Sequence, residues 1–249
     1  YKLVTGVQTC ALPICLGYYV ENLLGFAFAQ LDGWQVIAEH WPIREPHRTV
    51  GELDFLLQPP DRSDLLHLEC AFKVYLQHQP EQGIQGFIGP GARDHLHLKL
   101  DKLFRQQLSL SHLSSVKAQL DKPVNQRLGW LKGWLFYPWG HTHAPIAGLA
   151  DGHPHGWWQP LSAARQRLQQ SSSHWALLPR TRWVSPALLE ADAEVFSGVQ
   201  MCNWLDQHFT TKAVPQILVE LLSSNSGMIE VSRGFVVDDM WPQPALLAK

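Results

Sequence analysis

Two neighbouring stretches that alternate between apolar and polar residues constrain the fold of this chain most strongly. Gly51–Leu57 reads G-E-L-D-F-L-L, and Leu66–Leu76 reads L-H-L-E-C-A-F-K-V-Y-L. A period of two is the signature of a β-strand, because successive side chains point to opposite faces. The intervening Gln58–Asp64 consists of turn-forming residues, so the sequence predicts a β-hairpin. We expect this hairpin to bring the carboxylates of Asp54 and Glu69 to one surface, as they would lie around a cation.

An amphipathic helix and one further strand are predicted before the hairpin. Apolar residues recur at helical spacing across Leu16–Leu31, and the Asp-Gly pair that follows is a typical end signal. Glu21 borders the apolar stripe of this helix. It either reaches a site on the neighbouring sheet or is a solvated carboxylate on the flank of the helix, and both interpretations stay open. Trp34–His40 is predicted to be a strand.

The segments after the hairpin are predicted to be a loop, a helix and a buried strand. Gln77–Gly91 is rich in Gly, Pro and Gln, which favours a long mobile loop. Ala92–Leu110 has helical spacing, and Leu128–Tyr137 reads as a buried strand. Beside the apolar stripe of the helix runs a narrow polar strip, which consists of His95, Lys99, Lys102 and Gln106. This strip either borders the sheet or is an ordinary solvated helix face.

The second half of the chain has no repeat and no recognisable catalytic pattern. Residues 141–156 contain two H-x-H pairs, and imidazoles at that spacing can share a zinc ion. No familiar ligand set completes them, so loop histidines without metal are the favoured interpretation. Residues 157–249 are expected to form a Trp-rich α+β lobe on the core. Its predicted elements are strands at His174–Leu178 and Arg182–Val184, a helix at Val214–Leu222 and a hairpin-like segment at Met228–Val237.

Composition and cysteine usage limit the classes of protein. The net charge is −2 and the pI is about 6.7, so no overall positive field attracts nucleic acid, and any polyanion site must be a local patch. The four cysteines form no C-x-x-C pair, which favours a reducing compartment. No apolar run reaches the length of about 18 residues that a membrane span requires. We therefore expect a cytoplasmic protein with no membrane association.

The first residues are set apart from the fold prediction. Tyr1–Ile14 has neither helical nor strand periodicity and resembles translated sequencing-adapter read-through, so the ordered chain is expected to begin at residue 16. A secretory signal is the competing interpretation. It is weakened because Lys2 is the one positive charge of the segment and an amphipathic helix follows.

Several motifs in this order resemble the bacterial family called domain of unknown function 1853, which we group with the PD-(D/E)XK nuclease superfamily. The motifs are L-G-Y-Y-V-E-N at Leu16–Asn22, T-V-G-E-L-D-F at Thr49–Phe55, E-C-A-F-K-V-Y-L at Glu69–Leu76, G-P-G-A-R-D at Gly89–Asp94, K-G-W-L-F-Y-P at Lys132–Pro138 and R-G-F-V-V at Arg233–Val237. The resemblance implies an α/β fold with a restriction-endonuclease-like core, a central mixed sheet flanked by helices, over residues 16–140.

The resemblance also implies a chemistry. Phosphodiester hydrolysis requires an activated water and positive charge on the developing phosphorane, and Mg²⁺ or Mn²⁺ with oxygen ligands can supply both. Asp54 and Glu69 are the implied metal ligands, with the carbonyl of Cys70 as a further ligand and Glu21 in support. Nucleic acid, either DNA or RNA, is then the implied partner.

One departure from the superfamily pattern concerns the lysine that would stabilise charge at the phosphate. The usual lysine follows the glutamate by two positions, where this chain has Ala71. Lys73 is four residues on, so its Cα lies about 13 Å from that of Glu69 rather than about 7 Å. A bulge at Ala71–Phe72 would shorten this gap. Lys99 is the alternative, and Lys73 is favoured slightly because the narrower family motif includes it.

Two functions follow from these expectations. The first is a Mg²⁺-dependent nuclease. The second is a catalytically inactive module of the same fold that binds nucleic acid or a protein. A third interpretation makes Asp54 and Glu69 ordinary polar positions on a solvated sheet face, in which case their carboxylates would not converge.

Overall fold

A computed structural model describes residues 16–141, 144–190, 193–225 and 227–243. Tyr1–Ile14, for which read-through was predicted, and His143 of the first H-x-H pair lie outside the described residues. The strands are β1 Gln35–Glu45, β2 Arg48–Gln58, β3 Leu65–Gln77, β4 Phe87–Ile88, β5 Val124–Pro138, β6 His155–Pro160, β7 His174–Leu177, β8 Leu188–Leu189, β9 Gln216–Ser224 and β10 Gly227–Val237. The α-helices are α1 Leu16–Ala29, α2 Leu96–Asp101, α3 Ser114–Lys117, α4 Leu161–Gln169 and α5 Gly198–Thr211.

All of these strands belong to one mixed sheet. Its order is β1-β2-β3-β5-β6-β10-β9-β7, with β4 paired to β3 and β8 to β10. The strands β1, β2 and β3 form an antiparallel meander, while β5 runs parallel to β3 and β6 runs parallel to both β5 and β10. The expectation of a mixed α/β protein with a central sheet flanked by helices is therefore confirmed. The strands of the second half extend the same sheet.

The predicted hairpin of β2 and β3 is confirmed and is covered by α1. The two strands pair from Leu57 opposite Leu66 to Phe55 opposite Leu68. Their side chains pack against Leu24, Phe28 and other apolar residues, in a cluster whose buried members are Phe55, Leu57, Leu66, Leu68 and Cys70. Full burial of one such side chain contributes about 1.5–3 kcal/mol, so the hairpin and α1 depend on each other for stability.

The alternation of β2 reverses at one residue, which the sequence did not indicate. Leu53 packs with Leu110 on the face opposite to α1, whereas Phe55 packs against α1. In a regular strand these two residues would share a face. Their partners on β1, Trp41 for Leu53 and Glu39 for Phe55, stay in register, and His40 between those partners has a φ of 49°.

The face opposite to α1 is covered by a helical segment that changes its winding twice. The helix predicted over Ala92–Leu110 is shorter: α2 is followed by a π-helical turn at Lys102–Gln106 and a 3₁₀ helix at Gln107–His112. The buried leucines of this stretch are Leu96, Leu103, Leu108 and Leu110. Their intervals of seven, five and two residues do not fit a constant 3.6-residue turn, so the winding changes to keep these leucines on the sheet.

Three other local predictions are wrong. Val214–Leu222 was predicted to be helical, but β9 occupies Gln216–Ser224. Successive residues Ile217, Leu218 and Val219 of this strand are all buried, and a short apolar stretch of this kind does not distinguish a strand from a helix by its periodicity. The predicted strand at Arg182–Val184 is a 3₁₀ turn, and the predicted loop after β3 contains a 3₁₀ helix and β4. The predicted strand at His174–Leu178 is confirmed as β7. Met228–Val237, predicted to be hairpin-like, lies within the single strand β10, which pairs antiparallel with β9.

The helices within the described ranges are too short or too polar to cross a membrane.

Gly133 of β5 provides a test of the β3–β5 ladder. It lies opposite Lys73 with φ of 150°, and an added Cβ would collide with the main-chain carbonyl oxygen of Lys73. We expect Gly133→Ala to lower the free energy of unfolding by at least about 2 kcal/mol in urea denaturation. Gly91→Ala is the matched control, because a Cβ there meets nothing within 4 Å. Equal stability of the two variants would contradict the ladder described here.

Candidate functional site

Two carboxylates accept main-chain hydrogen bonds at the point where the backbone ladder between β2 and β3 ends. The last ladder pair on this side is Phe55 opposite Leu68. Immediately beyond it, the main-chain N–H of Cys70 donates to Asp54 Oδ2 at 2.8 Å, and the N–H of Asp54 donates to Glu69 Oε1 at 3.4 Å. We call Asp54 and Glu69, joined through these two N–H groups, the carboxylate fork.

Glu69 is fully buried and held by side chains on the face opposite to α1. His67 Nε2 lies 2.7 Å from Glu69 Oε1, and His67 Nδ1 lies 3.1 Å from Ser111 Oγ. The other oxygen, Glu69 Oε2, accepts a hydrogen bond from Gln107 Nε2. The oxygen of the same Gln107 amide accepts from Lys99 Nζ at 3.0 Å. The carboxylate is therefore fixed in place, and an ammonium group lies one side chain away.

On the α1 side, three potential ligand atoms converge. A carboxylate oxygen of Glu21, one of Asp54 and the sulfur of Cys70 all lie within 4.8 Å of one another. His40 completes this side, with Nδ1 at 3.8 Å from Glu21 Oε2 and 3.5 Å from Glu52 Oε1. Among the described residues, this is the one place where three potential metal-ligand atoms lie within 4.8 Å of one another.

The ionisation behaviour reflects an excess of buried negative charge. Burial, followed by the charge of Glu69, raises the pKa of Asp54 to about 7, although the N–H of Cys70 opposes the shift. Burial also raises the pKa of Glu21. The thiol pKa of Cys70 is raised strongly by burial and by the neighbouring carboxylates, so the thiol keeps its proton. A divalent cation at the fork would relieve this repulsion.

The two candidate lysines lie in different surroundings. Lys73 Nζ forms an ion pair with Asp94 at 2.6 Å. The bulge considered at Ala71–Phe72 is absent, because the β3–β5 register runs without a shift from Leu66 to Leu76. Lys99 is half-buried, and its charge acts on Asp54 and Glu21. Burial and the nearby charge of Lys73 lower the pKa of Lys99. Of the two lysines, it is therefore Lys99 whose charge acts on the carboxylates of Asp54 and Glu21.

Sequence reasoning missed four residues around the fork, which are His40, His67, Gln107 and Ser111. A signal was available for His67, since it precedes Glu69 by two residues and so shares its strand face. His40 falls within a predicted strand, where its unusual φ of 49° is invisible in the sequence. Gln107 contacts Glu69, and Ser111 contacts His67, because of the irregular winding after α2, which no periodicity indicates.

The histidine-rich loop has ordinary hydrogen bonds in its described part. His153 Nε2 lies 2.8 Å from the Tyr137 hydroxyl, and His153 Nδ1 lies 2.8 Å from the Ala150 carbonyl oxygen. His155 Nδ1 lies 3.1 Å from the His153 carbonyl oxygen. The interpretation of these residues as loop histidines without metal stays a prediction.

Comparison with known proteins gives one family. The sequence model described as "Domain of unknown function (DUF1853)" matches residues 9–237. The matched range runs from before α1 to the end of β10 and includes the whole fork. No curated protein and no solved structure matches the chain.

The raised pKa of Asp54 predicts a stability change that depends on pH. Between pH 4 and 7 folded Asp54 holds a proton that the unfolded chain has lost, so the free energy of unfolding falls as the pH rises through this window. Asp54→Asn removes this cost and still accepts the Cys70 N–H. We expect the variant to be more stable than wild type at pH 8, by on the order of 2–4 kcal/mol, and about equal at pH 4.

Urea unfolding with a metal chelator at pH 4, 6 and 8 measures this difference. Asp121→Asn, at an exposed carboxylate, is the control and should follow the wild-type profile at each pH. An Asp54→Asn variant that is no more stable than wild type at pH 8 would show that the Asp54 carboxylate is not crowded by negative charge.

Proposed function

The chain belongs to the family of domain of unknown function 1853, and we propose that it is a nuclease that hydrolyses phosphodiester bonds of DNA or RNA with Mg²⁺ or Mn²⁺. The observation that carries the proposal is the carboxylate fork. The side chains of Asp54 and Glu69, from adjacent strands, are both buried and are joined through two main-chain N–H groups. A carboxylate oxygen of Glu21 lies within 4.8 Å of one of Asp54, and the ammonium group of Lys99 bonds the Gln107 amide that contacts Glu69.

The order of elements supports a restriction-endonuclease-like core. Helix α1 is followed by the meander β1-β2-β3, the helical segment that begins at α2, and then β5 parallel to β3. This is the helix–strand–strand–strand–helix–strand order that a PD-(D/E)XK nuclease would have. The fork lies on the second and third strands of that order, where the superfamily resemblance locates its metal-binding acids.

The residues at the fork suit a hard divalent cation. Glu21 and Asp54 offer carboxylate oxygens within 4.8 Å of each other, and Glu69 adds a third carboxylate across the fork. Mg²⁺ and Mn²⁺ prefer oxygen ligands. The Cys70 thiol is a poor ligand for them because it stays protonated. When bound, such an ion would polarise the scissile phosphate and activate a water molecule.

Lys99 is the residue that we assign to the phosphate. Its ammonium group acts electrostatically on the fork and is oriented by Gln107. A fixed positive charge in a half-buried site stabilises the charge that develops on the phosphorane without reorganising solvent. The assignment differs from the slight preference for Lys73, whose ammonium group is paired with Asp94.

A local concentration of positive charge supports a polyanionic substrate. Residues 93–132 contain eight lysines and arginines but only three acidic residues, in a chain whose net charge is −2. This segment includes Lys99 and the irregular helical stretch that covers Glu69. Phosphate contacts of this kind supply most of the non-specific affinity for nucleic acid.

Two features favour the alternative, a nuclease-fold module that binds nucleic acid or a protein without cleavage. Ala71 stands where the superfamily has its lysine. The amide of Gln107 also bonds Glu69 Oε2, so a cation that uses this oxygen has to displace it. The two functions differ in one observable, which is turnover of substrate.

Cleavage of labelled single- and double-stranded DNA and RNA with Mn²⁺ tests the proposal. We expect wild type to cleave at least one substrate, and Asp54→Asn and Glu69→Gln each to lower the rate by at least about 100-fold, because both lose negative charge at the cation. Asp121→Asn should retain wild-type activity. Cleavage that persists in Glu69→Gln would come from a different site, and binding without cleavage by wild type would support the inactive module.

The lysine assignment makes a separate prediction. Lys99→Ala should lower the rate constant for cleavage by about 10²–10³-fold, as expected for loss of one preorganised charge in a transition state. Lys73→Ala breaks a partly exposed ion pair with Asp94 and should change the rate only a few-fold. Single-turnover kinetics at saturating Mn²⁺ compares the two variants. A larger loss of rate in Lys73→Ala than in Lys99→Ala would show that Lys73 is the lysine that acts on the phosphate.

A further inference from the structure

A fully buried histidine links Glu69 to the segment on the face opposite to α1. His67 has no exposed surface, and Ser111 is 2 % exposed. His67 Nε2 lies 2.7 Å from Glu69 Oε1, and its Nδ1 lies 3.1 Å from Ser111 Oγ. Both ring nitrogens therefore have a partner, and the side chains of Ser111, His67 and Glu69 are linked in that order by hydrogen bonds inside the protein.

The chemistry of the three groups fixes the direction of the first hydrogen bond. The carboxylate form of Glu69 only accepts hydrogen bonds, so in contact with that form the His67 Nε2–H group is the donor. The Ser111 hydroxyl bonds the opposite nitrogen and prevents rotation of the ring. A side chain held at both ends in this way constrains the oxygen it contacts, as outer partners do for the ligands of metal sites.

Stability alone does not account for this arrangement. A buried polar chain is often no more stabilising than apolar side chains of the same volume. Leu53, Leu110 and Val116 are buried together on the face of the sheet opposite to α1, which shows that apolar residues pack well on that side. The chain instead ends at the carboxylate that the proposed function requires for the cation.

We propose that His67, anchored by Ser111, is a positioning residue that holds Glu69 in the orientation required for divalent-cation binding. This inference rests on the proposed function, because it concerns the same cation site. His67 does not touch the cation or the substrate. His67 immobilises Glu69 Oε1, while Glu69 Oε2 is held by the amide of Gln107, which a cation bound to that oxygen would displace.

Two nearly isosteric substitutions separate positioning from simple packing. The amide nitrogen of His67→Gln reaches about as far as Nε2 and preserves the donor to Glu69. The amide of His67→Asn reaches about as far as Nδ1, so it preserves the Ser111 contact and loses the donor. Titration calorimetry of the full chain with Mn²⁺ should give a dissociation constant within about 3-fold of wild type for His67→Gln, and one at least about 10-fold weaker for His67→Asn.

Thermal unfolding of both variants shows whether they are destabilised to the same degree, as a packing role alone would require. Ser111→Ala serves as a second, milder variant should either histidine variant fail to fold, and it should weaken Mn²⁺ binding several-fold. Equal Mn²⁺ affinity of His67→Gln and His67→Asn, or unchanged affinity in Ser111→Ala, would overturn the inference.

The same titration separates failure of this inference from failure of the proposed function. If wild type binds Mn²⁺ and Asp54→Asn abolishes binding, while His67→Asn binds as wild type does, the positioning role is wrong and the cation site stands. If wild type shows no Mn²⁺ binding that depends on Asp54, the proposed function is wrong and the positioning role falls with it.

Discussion

The structure depends on how two strands stop pairing. Buried main-chain N–H groups require acceptors, and most strands satisfy them with a neighbouring strand. Beyond Phe55 and Leu68, the N–H groups of Asp54 and Cys70 are satisfied by carboxylates instead. The acidic side chains are therefore part of the sheet itself, because they satisfy the groups that the ladder leaves over. A fold built in this way brings two carboxyl groups close together in its interior, so that ionising both of them is unfavourable.

This arrangement has an electrostatic cost that the surrounding elements only partly offset. Helix α1 adds a further carboxylate, Glu21, rather than a counter-charge. On the opposite face, Glu69 contacts His67 of β3 and Gln107 of the helical segment, and Lys99 lies one contact further away. The pKa of Asp54 remains raised to about 7. Sites at which buried like charges lower the stability of a protein are commonly functional. A divalent cation is the simplest group that would neutralise the carboxylates here.

The sequence predicts those parts of the fold that are governed by local periodicity. Period-two alternation identified β2 and β3 as a hairpin with Asp54 and Glu69 on it, and helical spacing identified α1. Periodicity fails where packing changes the geometry. Regular alternation would put Leu53 and Phe55 on one face of β2, but they pack on opposite faces. The short apolar stretch of β9 fits a helix and a strand equally well, and the prediction of a helix there is wrong.

The partners of the fork were harder to predict for the same reason. Gln107 and Ser111 are ordinary polar residues in the sequence, and they contact the Glu69–His67 pair only because a π-helical turn and a 3₁₀ helix replace the expected α-helix. The choice between Lys73 and Lys99 likewise depends on tertiary structure. Lys73 matches the family motif but pairs with Asp94, whereas Lys99 of α2 bonds the Gln107 amide that contacts Glu69.

The central claim is that the fork binds one divalent cation, and anomalous diffraction from crystals soaked in Mn²⁺ measures this most directly. We predict an anomalous peak at about 2.0–2.3 Å from carboxylate oxygens of Asp54 and of Glu69 or Glu21. A peak at another place in the molecule, or full-strength data with no peak at the fork, would contradict it.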